Sequence, residues 1–383
     1  MTMSNDTVNS KSLPVPEKLG SYSPEDVVFL LKDLSDVHLE RPTEDREEAI
    51  QGGTHYSEML PVEYRPTPEY LALFHETLEE TAREVSLAAG IVSERLRARH
   101  GTDFVLASLA RAGTPIGILI KRYFREVYGA ELPHYSISII RGKGIDENAV
   151  LYMQRQHPGR RIQFVDGWTG KGAIRKVVEE ARETMAAKYG IELDDDLAVL
   201  ADPGRCSETF GTREDFLIPS ACLNSTVSGL MSRTVLRGDL IGPDDFHGAK
   251  YYKEWLEDDV SNVFVDRVSS YYADIQAEAR LEAEKLENLP EANVSSWQGM
   301  KDIARIQHDY GIADVNLVKP GVGETTRVLL RRVPWKILVD RLDNPHLRHI
   351  LLLAEDRGVP VEVYPGLTYS CCGIIKPMNG GTP

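Results

Sequence analysis

Cysteine is scarce in this chain, and the scarcity excludes several kinds of protein. Four cysteines occur among 383 residues, and no two of them form a Cys-x-x-Cys pair. A disulfide scaffold or a zinc ribbon needs more thiols at closer spacing. We therefore expect a protein that folds around its own hydrophobic core in a reducing compartment.

Long apolar runs and an excess of cations are also missing. No stretch approaches the roughly 18 apolar residues of a membrane span, and no basic start leads into a signal-peptide core. The chain has 44 lysines and arginines against 59 acids, which gives a net charge of -15. Nonspecific binding of nucleic acid by the whole chain is thereby excluded. We expect a cytoplasmic protein in which any contact with RNA is local.

The sequence pattern divides the chain into four segments. Residues 1–20 are polar and predict a flexible tail. Within 21–290, short apolar strands alternate with amphipathic helices, which is typical of a parallel sheet flanked by helices. A linker helix is predicted over 291–311 and a smaller α/β unit over 312–383. That last segment has nine lysines and arginines against seven acids, so the acidity belongs to the rest of the chain.

A loop suited to phosphate follows one of the predicted strands. The strand IQFV ends at Asp166, and Gly167-Trp168-Thr169-Gly170-Lys171-Gly172 then opens a helix. Glycines let backbone N–H groups approach a phosphate, and Lys171 adds a cation. A Walker A loop has four residues between its first glycine and its Gly-Lys pair, and a serine or threonine after the lysine. Here two residues separate Gly167 from Gly170, and Gly172 follows Lys171, so the loop is not a Walker A loop.

Two further loops have similar chemistry. The turn Arg111-Ala112-Gly113-Thr114 ends the predicted strand FVLASL, and Arg141 and Lys143 lie in a glycine-containing loop after SISII. The carboxyl ends of parallel strands meet at one edge of a sheet, where ligands bind. We therefore expect the three loops to lie together.

In this arrangement the chain resembles the type I phosphoribosyltransferases, whose fold is Rossmann-like with a parallel sheet. The resemblance implies that Asp166 and residues 167–172 bind the ribose and 5-phosphate of phosphoribosyl pyrophosphate (PRPP), and that residues 111–114 bind its pyrophosphate. Arg141 and Lys143 would close over the ligand. It also implies Mg²⁺ bound with PRPP, and transfer of phosphoribose to an unidentified small-molecule or nucleobase-like acceptor with release of pyrophosphate. The residues expected to carry catalysis are Asp166, Arg111, Arg141 and Lys143.

Four other polar residues are candidates for contact with the acceptor. His55 lies beside a Gly-Gly turn, and Asp202, Arg213 and Asn224 lie near a predicted strand-to-helix junction. A buried hydrogen-bonded corner around His55 and a capped helix near Asn224 are the structural alternatives.

Two other functions are compatible with the same chain. His247 could act as the base of a cysteine peptidase, with Cys222 or Cys206 as the nucleophile. The whole chain resembles bacterial proteins of tellurium-resistance and stress gene clusters, which are described either as phosphoribosyltransferase-like or as StiP-type cysteine proteases. The third possibility is an RNA binder that senses PRPP without turning it over.

The last segment contains a glycine-rich turn before a basic helix. Glycines and helix N-terminal N–H groups suit an RNA backbone. The segment resembles the pelota/L7Ae-like RNA-binding fold, which implies a smaller α/β domain with structured RNA as its partner. The residues expected to contact RNA are Lys319, Gly321, Gly323, Glu324, Thr325, Arg327 and Arg331.

Overall fold

The computed structural model describes residues 11–289, 291 and 293–376. Its strands are β1 (Val28–Leu30), β2 (Lys32–Asp33), β3 (Glu40–Arg41), β4 (Leu60–Pro61), β5 (Phe104–Leu109), β6 (His134–Ile137), β7 (Ile139–Ile140), β8 (Gly144–Ile145), β9 (Arg161–Trp168), β10 (Leu197–Ala201), β11 (Phe210–Thr212), β12 (Gly248–Ala249), β13 (Val318–Pro320), β14 (Pro334–Val339), β15 (Val361–Val363) and β16 (Cys371–Ile375). Its α-helices are α1 (Thr43–Gln51), α2 (Pro68–His100), α3 (Gly113–Tyr128), α4 (Glu147–Gln156), α5 (Ala173–Tyr189), α6 (Ser261–Ser269), α7 (Tyr272–Glu287), α8 (Gln298–Asp309), α9 (Val322–Arg331) and α10 (Arg348–Asp356).

A six-stranded parallel sheet forms the body of the protein. Its strand order is β1-β6-β5-β9-β10-β11, and every neighbouring pair is parallel. Along β5, Phe104 and Leu106 belong to one buried cluster, while Val105 and Ala107 belong to a second cluster. Successive side chains of a strand point to opposite faces, so helices cover this sheet on both sides. The predicted α/β class with a parallel sheet is confirmed, whereas the assignment to the phosphoribosyltransferase fold has no support.

Helix α2 shows why the sequence prediction succeeds where local signals are strong. Pro68 occupies the first helical position, and Gly101 ends the helix at a φ of 71°. Proline is preorganised for a helix start, and glycine adopts a positive φ without a Cβ penalty. The apolar residues predicted to face the core, such as Phe74, Val85 and Leu96, have no measurable exposure.

The loops after β5 and β9 meet because these strands are neighbours. At the start of α3, Gly113 lies so close to the end of β9 that a Cβ would come within 2.5 Å of the Val165 carbonyl oxygen. No larger residue fits this approach of backbone to backbone. The first turn of α3 therefore lies against the residues that lead into Asp166.

The elements from α8 to β16 form a C-terminal module, which has a sheet of its own. Its strand order is β13-β16-β14-β15, with β16 antiparallel to both β13 and β14. Ile303 and Ile306 of α8 pack in one cluster with Val318, Leu338 and Ile374. The helix expected as a linker thus contributes to the core of this module.

Part of the predicted tail contacts the body. Residues 1–10 lie outside the described residues. Lys11 donates a hydrogen bond to the Asn148 side chain at 2.6 Å, and Leu19 is 5% exposed. Within the described ranges, no helix combines the length and apolar character needed to cross a membrane.

Candidate active site between the sheet and the C-terminal module

A cleft of about 330 Å³ lies at the carboxyl edge of the parallel sheet, and both parts of the chain form its walls. The body supplies the turn after β5, the end of β9 and the segment from Phe216 to Ser228, while the module supplies the first turns of α9. The lining residues used below are Arg111, Asp166, Trp168, Phe216, Ala221, Leu223, Asn224, Gly323, Glu324 and Arg327.

Asp166 is the carboxyl group that the body contributes to the cleft. It lies near the end of β9, and its Oδ1 accepts a hydrogen bond from the Gly167 N–H at 2.7 Å. Burial raises the pKa of Asp166 to about 7, although the Gly167 N–H acts in the opposite direction. A carboxyl with this pKa can accept or release a proton near neutrality.

Arg111 forms the cationic side of the same edge. Its Nη1 lies 3.4 Å from Glu63 Oε2 and donates to the Met231 carbonyl at 3.1 Å. Of its neighbours in the turn, Ala112 also lines the cleft. Thr114 is buried and bonds the Ser136 hydroxyl at 2.8 Å, so it faces the sheet. The predicted meeting of the loops after β5 and β9 is therefore present.

The module covers the loop that was predicted to bind phosphate. Tyr369 donates a hydrogen bond to the Gly170 carbonyl at 2.9 Å, and Lys171 Nζ donates to the Val315 carbonyl. Burial lowers the pKa of Lys171 to about 8, with a further contribution from the charge of Lys319. A Cβ on Gly172 would lie 2.2 Å from the Trp297 ring. These groups are occupied in contacts between the two parts of the chain.

Asp202 organises a buried network beside that loop. It accepts hydrogen bonds from Thr169 and Arg213 and from the Cys206 N–H at 2.9 Å. Asp202 has no measurable exposure. Of the four predicted acceptor contacts, Asp202 and Arg213 therefore serve this network, and Asn224 lines the cleft.

His55 lies in a different place, near the predicted mobile loop. Its Nδ1 is 2.8 Å from the Ser57 hydroxyl, as in the hydrogen-bonded corner considered as an alternative. Arg141 and Lys143 belong to the tight turn between β7 and β8, which pair antiparallel. The Arg141 N–H donates to the Tyr56 hydroxyl at 2.8 Å.

The glycine-rich turn predicted to bind RNA faces the body. A Cβ on Gly321 would lie 2.4 Å from the Trp168 ring, and one on Gly323 would lie 3.1 Å from Ala221 Cβ. Thr325 is fully buried. Lys319 is half-buried, and the side chain of Arg331 lies outside the described part. Glu324 and Arg327 form an ion pair of 2.9 Å at the cleft, with 38% of the Arg327 side chain exposed.

Asp215 holds the module against the body, and nothing in the local sequence distinguishes it as an interface residue. Its Oδ1 accepts from the Val322 N–H at 3.0 Å and its Oδ2 from the Ser370 N–H at 2.9 Å. Burial raises the pKa of Asp215 to about 7, while these N–H groups lower it.

The thiols differ in their relation to the cleft. Cys222 is 2% exposed and directly follows the short helical turn Pro219–Ala221. Its two sequence neighbours, Ala221 and Leu223, both line the cleft. Burial raises the pKa of Cys206 and of Cys372 to about 12, and raises that of Cys371 well above its ordinary value.

His247 is held in a polar network of its own. Its Nδ1 lies 2.9 Å from the Ser138 hydroxyl, and its backbone N–H donates to Asp146 Oδ2 at 2.6 Å. Burial lowers the pKa of His247, with the charge of Asp146 acting in the opposite direction. The His247 ring is thus hydrogen-bonded to Ser138, whereas Cys222 packs in the large core cluster with Phe216 and Leu223. Within the described residues, no group of three or more His, Cys, Asp and Glu is placed to hold a metal.

Comparison with known proteins gives two family matches. The model of the tellurite-like stress resistance cysteine protease StiP matches residues 20–269, and that of the PELOTA RNA binding domain matches residues 297–377. The chain is also 32% identical over 354 residues to the cysteine protease StiP of Acinetobacter baylyi, which covers 90% of each chain.

These matches correct the expectation drawn from the three loops. The predicted phosphoribosyltransferase activity is wrong, since both the family model and the relative carry the name of a cysteine protease. PRPP and its acceptor have no support as ligands. The structure supplies a physical reason, because Thr169, Gly170 and Lys171 bind Asp202, Tyr369 and Val315. The resemblance to StiP proteins and to the pelota fold is confirmed.

Proposed function

The chain belongs to the StiP family of tellurite-like stress resistance cysteine proteases, and from this we propose that it hydrolyses peptide bonds with Cys222 as nucleophile. The observation that carries the assignment to Cys222 is its position between two residues that line the cleft, Ala221 and Leu223. A peptide bound in the cleft would pass beside this segment.

The other thiols are poorly suited to the reaction. The thiolate is the nucleophilic form of cysteine. Cys206 and Cys372, with a pKa of about 12, remain protonated near neutral pH, and so does Cys371. Among the four cysteines, none of which forms a disulfide, Cys222 alone lies directly between two residues that line the cleft.

Asp166 is the group that we propose as proton acceptor. It faces the cleft, and its pKa of about 7 suits transfer in both directions at physiological pH. The Cys222 thiol would give its proton to Asp166, and Sγ would attack the peptide carbonyl. Asp166 would then return the proton to the departing amine as the C–N bond breaks, and water would hydrolyse the thioester. The Asn224 side-chain amide supplies a donor for the oxygen that gains negative charge.

The test compares cysteine variants on fluorescently labelled casein. We expect Cys222→Ala to abolish cleavage and Cys206→Ala, at a thiol outside the cleft lining, to keep most of it. Activity of the parent protein should rise with pH about a midpoint near 7, because Asp166 must be ionised to accept the proton.

The same assay distinguishes the two candidate bases. Asp166→Asn should remove the activity, while His247→Ala should retain it as long as the variant stays folded by circular dichroism. Cleavage that persists in Cys222→Ala would overturn the assignment of the nucleophile, and cleavage lost only in His247→Ala would overturn that of the base.

For the C-terminal module we propose binding of structured RNA. The match to the PELOTA RNA binding domain over residues 297–377 supports this second function. The glycine turn packs against the body, so the contact would depend on the partly exposed Arg327 at the mouth of the cleft.

This proposal is tested by the salt dependence of RNA binding, measured by fluorescence anisotropy. Because affinity falls as salt rises, a phosphate contact made by Arg327 should steepen the slope of log affinity against log salt by about one unit. Arg327→Ala should remove that unit. Arg341→Ala, at an exposed arginine paired with Asp340, is the control. An unchanged slope in Arg327→Ala would contradict this contact.

A further inference from the structure

Two arginines from distant parts of the sequence lie over one tyrosine ring, and a third, Arg111, lies close to them and also lines the cleft. The guanidinium carbon of Arg233 is 5.1 Å from the centroid of the Tyr56 ring, and that of Arg141 is 5.6 Å from it. Arg46 and Arg111 are close enough for their charges to act on Arg233. We refer to Arg111, Arg141 and Arg233 as the arginine cluster.

The positive charge of this cluster is incompletely balanced. Glu63 approaches Arg111 at 3.4 Å. Arg233, by contrast, makes no ion pair with an acid in the part of the chain that the structure describes. Burial, followed by the charges of Arg111, Arg46 and Arg141, lowers the pKa of Arg233 to about 10. Holding like charges together in a partly buried place is unfavourable unless an anion joins them.

The cluster also has a fixed geometry. The Arg141 N–H donates to the Tyr56 hydroxyl, which joins the β7–β8 turn to the tyrosine. His55 caps the short helical turn that begins at Tyr56 by accepting from the Ser57 N–H. Arg111 is held by the Met231 carbonyl at 3.1 Å, two residues before Arg233. The Arg111 guanidinium is therefore held by a hydrogen bond, and those of Arg141 and Arg233 lie over the Tyr56 ring, which lowers the entropic cost of binding a ligand.

We propose that the arginine cluster binds a phosphoryl group, carried by a small phosphorylated molecule or by the end of an RNA. Planar guanidinium groups donate paired hydrogen bonds to phosphate oxygens. A terminal phosphoryl group brings about two negative charges near neutral pH, whereas a carboxylate brings one. Among these anions, the phosphoryl group better matches the cluster of Arg111, Arg141 and Arg233, in which Glu63 is the one ion-paired carboxylate among the described residues. This inference goes beyond the proposed proteolysis, and although Arg111 also lines the cleft, the tests use Arg141 and Arg233, which do not.

Calorimetry with inorganic phosphate and with tripolyphosphate tests the site on the full-length protein. We expect both to bind, tripolyphosphate more tightly, and Arg233→Gln to weaken binding at least tenfold. Arg160→Gln is matched in net charge and lies in a surface ion pair with Asp103, so it should bind as the parent does. Equal affinities in the parent and Arg233→Gln, or no binding of either anion, would overturn the proposal.

A second variant tests the site independently, in case Arg233→Gln loses binding because it misfolds. Arg141 is exposed, so Arg141→Gln should fold normally and weaken tripolyphosphate binding several-fold. Unchanged binding in Arg141→Gln would count against the cluster as the site.

The source of the phosphoryl group is distinguished with paired ligands. An RNA oligonucleotide with a 5′-phosphate that binds more tightly than its 5′-hydroxyl form, with the difference lost in Arg233→Gln, would identify an RNA end. Equal binding of the two forms, with tripolyphosphate still dependent on Arg233, would identify a small molecule. A glutamate-rich peptide that binds through Arg233 while neither phosphate does would refute the phosphoryl assignment.

Discussion

Asp166 shows how surroundings decide the chemistry of a single residue. A solvated aspartate is ionised at neutral pH, but burial beside the cleft raises the pKa of Asp166 to about 7. The sequence indicated an important acid at this position because it ends a strand of a parallel sheet. The sequence pattern could not reveal that the loop after it is covered by Tyr369 and Val315, which are distant in the chain. The prediction therefore placed Asp166 at the edge where the cleft lies, but its assignment of PRPP as the ligand has no support.

The raised pKa of Asp166 predicts how the stability of the protein depends on pH. The folded pKa of Asp166 lies above its ordinary value of 3.8, so the folded protein holds this proton more tightly than the unfolded chain. The stabilisation that protonated Asp166 gives the folded protein is therefore complete below pH 3.8 and is lost as the pH rises through about 7. We expect Asp166→Asn, which never ionises, to be stabilised relative to the parent by about 1 to 2 kcal/mol at pH 8, after allowing for solvent screening.

Urea unfolding at pH 5 and pH 8 measures this difference. Asp343→Asn, at a surface carboxylate with 88% of its side chain exposed, provides the control and should follow the parent at both values. A stability gap between Asp166→Asn and the parent that is the same at both pH values would show that the carboxyl is not titrating in this range.

At the scale of elements, the predictions succeed where local signals suffice and fail where packing decides. The helix predicted over 68–99 is observed as Pro68–His100, because a proline start and a glycine stop are encoded at its ends. The helix Gln298–Asp309 was expected as part of a linker, since its sequence gives no sign of the sheet it packs on. The short turn that carries Arg141 was expected to be mobile, but its strands pair antiparallel.

Close approach between elements is equally invisible in the sequence. Gly113 permits the first turn of α3 to lie on the end of β9, where a Cβ would meet a carbonyl oxygen at 2.5 Å. The turn Arg111-Ala112-Gly113-Thr114 indicated a ligand loop, yet this glycine serves the contact between helix and strand. The arginine cluster likewise joins the β5–α3 turn, the β7–β8 turn and a segment near residue 233, which no sequence motif connects.

For the whole molecule, the contact between body and module is the feature that the sequence least reveals. Asp215 accepts N–H groups from Val322 and Ser370, both on the module side. Removing a buried acceptor leaves two donors unsatisfied, each at a cost of about 1 to 3 kcal/mol. We expect Asp215→Ala to loosen the module and to separate thermal unfolding into two transitions.

Scanning calorimetry and limited proteolysis measure this loosening. Cleavage should appear between α7 and α8, in the segment that joins body and module. Glu214→Ala changes the exposed neighbouring residue and should keep a single transition. A single, unshifted transition in Asp215→Ala would show that the interface does not depend on this carboxylate.

The shared walls of the cleft have a thermodynamic consequence. Gly323, Glu324 and Arg327 belong to the module, while Asp166 and Asn224 belong to the body. A ligand that favours one spacing of the two walls must therefore change the affinity of the cleft for every other ligand sensitive to that spacing. The coupling is reciprocal, so an RNA that tightens the cleft for a peptide would itself be held more tightly once the peptide is bound.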